Sequence, residues 1–120
     1  MTVEFSEKEQ KIFIENARDN LSVWVFEEPD PEYYVEDVFC AISLLEKLGD
    51  TNGRSAQEWK DIYLKKMREV FERELSEATT RIDADAVDNA FTALELFGET
   101  EEYERWSKRI EQLTDALREA

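Results

Sequence analysis

The chain is 120 residues long, 42% apolar and 12% aromatic, and carries 30 Asp and Glu against 15 Lys and Arg, a formal net charge of −15. Its length suits one domain spanning 1–120, and its apolar content supplies a core, which sets it apart from the disordered chains that such a charge otherwise marks. The absence of histidine and the single cysteine exclude an intramolecular disulfide, the common zinc sites, Ser-His-Asp triads and histidine-based proton transfer.

The first helix opens at Ser6, where Glu9 completes a capping box, and it sets Ile12, Phe13, Ala17, Leu21, Trp24 and Val25 on one face. Glu27-Glu28-Pro29-Asp30-Pro31 ends it, because each proline drives its predecessor out of the helical region. Asp30 as N-cap and Pro31 at the first helical position then start a second helix with the stripe Tyr34, Val35, Val38, Phe39, Ile42, Leu45 and Leu48, stopped at Gly49. Cys40 falls in the apolar run Val38 to Ile42 and is expected to be a buried, inert thiol.

Ser55, with Glu58 three places on, begins a third helix that buries Trp59, Ile62, Tyr63, Met67, Val70, Phe71 and Leu75. Its outer face carries a ladder of alternating charge at a spacing of four: Asp61, Lys65, Glu69, Arg73, Glu77 and Arg81. A fourth helix from Asp83 or Asp85 to Phe97 offers Val87, Ala90, Phe91, Leu94 and Phe97 before Gly98. Thr100 caps a fifth, with Tyr103, Trp106, Ile110, Leu113 and Leu117 facing inward. The expected fold is therefore all-α, about five helices in antiparallel hairpins packed as a small bundle. Phe39, Ile42, Leu45, Trp59, Tyr63, Phe71, Phe91, Leu94, Trp106 and Ile110 form its core. Aligning Gly49 with Gly98 sets Ala41-Ile42 over Ala90-Phe91 and Leu45-Glu46 over Leu94-Glu95, which suggests an internal hairpin repeat. The turns Leu48-Gly49-Asp50 and Phe97-Gly98-Glu99 are similar to the turn of tetratricopeptide-type repeats, a likeness confined to a dozen positions.

The acidity is uneven. Residues 1–40 hold 11 acids and 3 bases, residues 41–82 hold 8 of each, and residues 83–120 hold 11 and 4. Two acidic flanks around a neutral centre point to a basic protein partner, and they repel nucleic-acid backbones and anionic membranes. No stretch free of charge is long enough to span a bilayer, and the residues after Met1 lack the basic start and apolar middle of a signal peptide, so a soluble, cytoplasmic protein is expected.

Paired carboxylates remain the one catalytic option. Each candidate group (Glu27 with Glu28; Glu36 with Asp37; Asp83, Asp85 and Asp88; Glu99 to Glu104) lies beside a turn or helix start, where acids suit the helix dipole and meet water, so no enzyme is expected. Asp50-Thr51-Asn52-Gly53 matches the opening of a calcium loop, but Arg54 takes the next ligand position, Ser55 the glycine position and Asp61 the closing glutamate position. No metal or cofactor is expected.

The surface expected to meet the partner comprises Phe26, Glu27, Glu28, Asp30, Glu32, Tyr33, Glu36 and Asp37 from the first flank, with Asp83, Asp85 and Asp88 from the second. Aromatics anchor an interface there and carboxylates steer it. In composition and size the chain resembles the small acidic helical phage proteins that imitate DNA. This resemblance implies an inhibitor or immunity factor that occupies a basic nucleic-acid-binding or toxin site. The alternative expectation is a helical-hairpin adaptor that receives a peptide in an apolar groove, and a third is acidity as an adaptation to salt.

Overall fold

The computed structural model describes residues 6–48, 53–76 and 84–119. Helix α1 (Glu7–Ser22) begins with the expected capping box: the Ser6 hydroxyl accepts the Glu9 N–H and the Glu9 carboxylate accepts the Ser6 N–H, each at 3.2 Å. The helix then widens into one π-helical turn, Val23–Glu27, closed by the Glu28 N–H on the Val23 carbonyl at 2.9 Å. The wider turn keeps Val25 stacked below Ala17 and Leu21, so all three stay buried at a constant spacing of four. Ile12, by contrast, is 47% exposed, a correction to the expected stripe.

The two prolines act as expected on their neighbours. Glu28 adopts an extended backbone (φ −74°, ψ 134°), which ends the helix. Asp30 is also non-helical, but its side chain caps nothing. Pro31–Tyr34 form a 3-10 turn instead, started by the Tyr33 N–H on the Asp30 carbonyl at 3.2 Å, and helix α2 runs only from Val35 to Leu48. Its buried residues Val35, Val38, Ala41, Ile42 and Leu45 share one side, which turns Cys40 to the opposite one. Cys40 is therefore exposed, not buried: the charge-free run looked like core, but helical geometry hides only half of it.

Ser55 caps helix α3 (Ala56–Ser76) through the Glu58 N–H at 3.1 Å. Helix α4 (Ala84–Leu96) ends where Gly98 takes φ +74°; the Gly98 N–H reaches the Glu95 carbonyl and the Glu99 N–H the Leu94 carbonyl, at 3.2 and 2.8 Å. That pairing satisfies the last carbonyls and needs a residue free to be left-handed. Gly98→Ala has open space for its methyl group, so its expected cost, about 1 kcal/mol, is conformational; thermal melting of the variant checks it. Helix α5 (Thr100–Glu119) follows at once, its first carbonyl bond accepted by Glu99, so the cap sits one residue before the expected Thr100.

Antiparallel order follows from the ring contacts. Phe71 meets Phe91 at 5.7 Å while Tyr63 meets Phe97 at 6.3 Å, so α4 runs against α3. The Tyr63 hydroxyl donates to the Pro31 carbonyl at 2.9 Å, and the later part of α2 lines a cleft with the first turns of α3, so α2 also runs against α3. Hence α2 and α4 are parallel. Helix α4 touches α2, α3, α5 and the 3-10 turn, and its buried Ala86, Ala90 and Ala93 let those neighbours come close.

Helix α5 is fastened along α3. Trp106 stacks on Phe71 at 4.1 Å with planes 5° apart, and Phe91 meets both edge-on. Ion pairs flank the stack: Lys60 with Glu99 at 3.5 Å, Arg68 with both oxygens of Glu102 at 2.6 and 2.9 Å, and Arg109 with both oxygens of Glu72. The Arg109 hydrogen bond, and then its charge, hold the Glu72 carboxyl below its ordinary value. A depressed carboxyl contributes stability above its unfolded value, about 4.3, and loses it as pH falls through the folded value. Glu72→Gln is therefore expected to flatten the acid limb of a melting-temperature profile below about pH 4.5, by under about 1 kcal/mol for so exposed a pair.

Of the expected core, Ile42, Leu45, Trp59, Tyr63, Phe71, Leu94 and Trp106 are buried, whereas Phe39, Phe91 and Ile110 are half-buried. Among the described residues there is no strand, and no helix is long and apolar enough to cross a membrane. Gly49, the Asp50-Thr51-Asn52 loop start, Glu77, Arg81 and Asp83 lie outside the described residues.

Candidate functional site

The expected partner surface gathers at the turn between α1 and α2. Tyr34 lies at its centre, stacked on Trp24 at 6.2 Å with planes 17° apart. Its phenol is pushed above the ordinary value first by burial and then by Glu28, which it also hydrogen-bonds, with smaller contributions from Asp37 and Asp30. Three expected carboxylates thus converge on one aromatic pair. The composition could not disclose this, because Trp24 and Tyr34 read as core; the signal was their placement on either side of a turn bounded by two prolines.

Because α2 and α4 are parallel and both run against α3, their acidic first turns point toward the end where α3 stops. Glu36 and Asp37 on α2, and Asp85 and Asp88 on α4, are all exposed, but the helices are staggered: Phe39 meets Phe97 at 5.4 Å, so the first turn of α2 lies level with the last turns of α4. The second acidic flank is divided, however. Glu99 pairs with Lys60 near the start of α3, Glu102 with Arg68, and Tyr103 packs on Phe91 at 5.0 Å, so Glu101 and Glu104 stand along the middle of the bundle on the α5 side.

Glu32 does not belong to this surface. It is 2% exposed, folded inward by the 3-10 turn, with Arg73 Nη2 at 3.7 Å; the same guanidinium lies 3.3 Å from the buried Glu74. A buried carboxylate requires a counter-charge, and Arg73 supplies it in place of its expected role on the outer ladder of α3. Burial first, and the Glu32 charge second, push the neighbouring Tyr63 hydroxyl up.

Tyr33 is 53% exposed and Phe26 47%, as expected for interface aromatics. Their settings differ. Phe26 rests against Trp59 at 5.6 Å beneath two cations, Arg54 at 5.1 Å and Lys66 at 5.6 Å from its ring centre. A shallow groove of about 350 Å³ beside it combines Glu28, Pro29, Pro31 and Glu69 with Lys66 and Arg73. Sequence reasoning missed these cations, because they come from the neutral central stretch of the chain, residues 41–82. Glu27, Asp30, Glu36 and Asp37 thus keep an acidic exposed rim, while the Phe26 side is mixed in charge.

Among the described residues no three metal-binding side chains lie together as a candidate metal site. Comparison of the chain with protein-family models, with curated proteins and with solved structures finds no match.

Proposed function

We propose that this chain is a non-enzymatic binding protein whose acidic end engages a basic surface on a protein partner and excludes the polyanion that surface normally holds, as an inhibitor or immunity factor imitating nucleic acid would. One observation carries the reading: Glu28, Asp37 and Asp30 converge on the stacked Trp24–Tyr34 pair, and the parallel course of α2 and α4 points the acidic starts of both helices in the same direction. Such an array attracts a basic surface at long range, and Tyr33 offers it an exposed aromatic contact. A reducing, cytoplasmic setting suits the exposed, unbridged thiol of Cys40.

Catalysis fits poorly. The buried carboxylates Glu32 and Glu74 both lie against the Arg73 guanidinium, whereas a carboxyl group acting as general acid needs an apolar pocket. The test is affinity capture from lysate on the immobilised protein. Basic proteins are expected to be retained at low salt and released both by salt and by a competing oligonucleotide. Retention indifferent to both would overturn the proposal.

A further inference from the structure

Helix α2 carries a second feature besides its acidic start. A cleft of about 500 Å³ lies between α2, the first turns of α3 and the end of α4, with Phe39, Ile42, Leu96 and Phe97 as its apolar walls. Three of these four are only half-buried, so apolar surface remains open to solvent. The charges around it decide what it can accept. Lys60 projects into the lining, but Glu99 at 3.5 Å neutralises it. That leaves Glu46 in the wall, Glu36 about one turn before Phe39, and Asp61, which accepts a 2.9 Å hydrogen bond from the lining residue Gln57; among the described residues the lining holds no cation besides Lys60, and Lys47 follows Glu46 on α2.

A second copy of the chain would bring its own net charge of −15 to this site, and an acidic peptide would be repelled for the same reason. A basic occupant is attracted. Glu36 and Glu46 stand ten positions apart on one helix, about 15 Å, a span that a helical segment of similar length can match with two cationic side chains while an apolar one between them enters the cleft. We infer that the cleft seats an apolar side chain of a basic amphipathic helix of the partner, lying along α2 with its lysines or arginines against Glu36, Glu46 and Asp61. The inference rests on the reading of the acidic end as a site for a basic protein, and it extends that site along α2.

Two synthetic probes test it by calorimetry and by amide chemical shifts of the isotope-labelled protein: a leucine-lysine amphipathic helix of about 14 residues, close to the length of α2, and an oligolysine with the same number of lysines. The amphipathic peptide is expected to bind at least about tenfold more tightly and to shift amides of Ser43, Gln57 and Phe97. Ser43→Arg, which fills the cleft and adds a positive charge, and Glu46→Lys, which changes an exposed charge alone, should each weaken that binding, while Glu104→Lys on α5 should not. The exposed Glu46 variant keeps the test decisive if Ser43→Arg proves unstable on melting. Equal affinity for the two peptides, with shifts confined to the first turns of α2 and α4, overturns the cleft inference and leaves the acidic end intact. Binding of neither peptide at low salt overturns both.

Discussion

Replacing Trp106 by alanine is expected to lower the melting temperature by roughly 10–20 °C, the largest effect of any substitution considered. The indole is 5% exposed, stacks face to face on Phe71 at 4.1 Å and receives the edge of Phe91, so its removal empties the seam that joins α5 to α3 and α4. Truncating a buried tryptophan costs about 3–5 kcal/mol, and each kcal/mol moves the midpoint of a domain this size by about 3–5 °C. The Arg68–Glu102 and Arg109–Glu72 pairs on either side cannot compensate, because exposed ion pairs contribute about 0–1 kcal/mol each. Melting followed by circular dichroism decides the point. A drop of less than about 3 °C would mean that α5 is held by something other than this stack.

Helix existence and type were legible because the punctuation is local. Ser6 with Glu9, Ser55 with Glu58, and Gly98 each determine a boundary through a hydrogen bond within a few residues, and each boundary lies where the spacing places it. Errors arose where tertiary geometry overrides the local signal. Cys40 sits in an apolar run but on the wrong side of its helix, and Asp30-Pro31 has the chemistry of a cap but feeds a 3-10 turn. Glu32 looked like any acid in an acidic loop; only the approach of Arg73, 41 positions later in the chain, makes its burial tolerable. In the same way, the sequence divides the acids into two flanks, but which of them share an end depends on helix directions that no local pattern encodes.

Reversal of Asp30, Asp37 and Asp88 to lysine is expected to slow association with a captured basic partner by about tenfold to a hundredfold at low salt, with little change in melting. All three are exposed, the Asp30 side chain caps nothing, and only Asp37 stands in the first turn of a helix, where the reversal costs about 0.3–1 kcal/mol against the dipole. The matched triple reversal of Glu7, Glu15 and Glu58, exposed on α1 and in the first turn of α3, makes the same net charge change away from the turn between α1 and α2 and should alter the rate much less. Surface plasmon resonance separates the rates. If the two triple variants behaved alike, net charge and not the acidic end would govern binding.

The most direct measurement is the association rate constant of the captured partner across a salt series, taken in parallel for the natural chain and the Asp30, Asp37, Asp88 triple reversal. Screening shortens the reach of charge to about 8 Å at physiological ionic strength, so the natural chain should associate fastest at low salt and slow steeply as salt rises. The triple reversal should start slow and give a much flatter line, the two converging at high salt, with dissociation rates moving less than association rates. Two parallel lines of equal slope, or a rate insensitive to salt in both proteins, would contradict an acidic end that steers a basic partner.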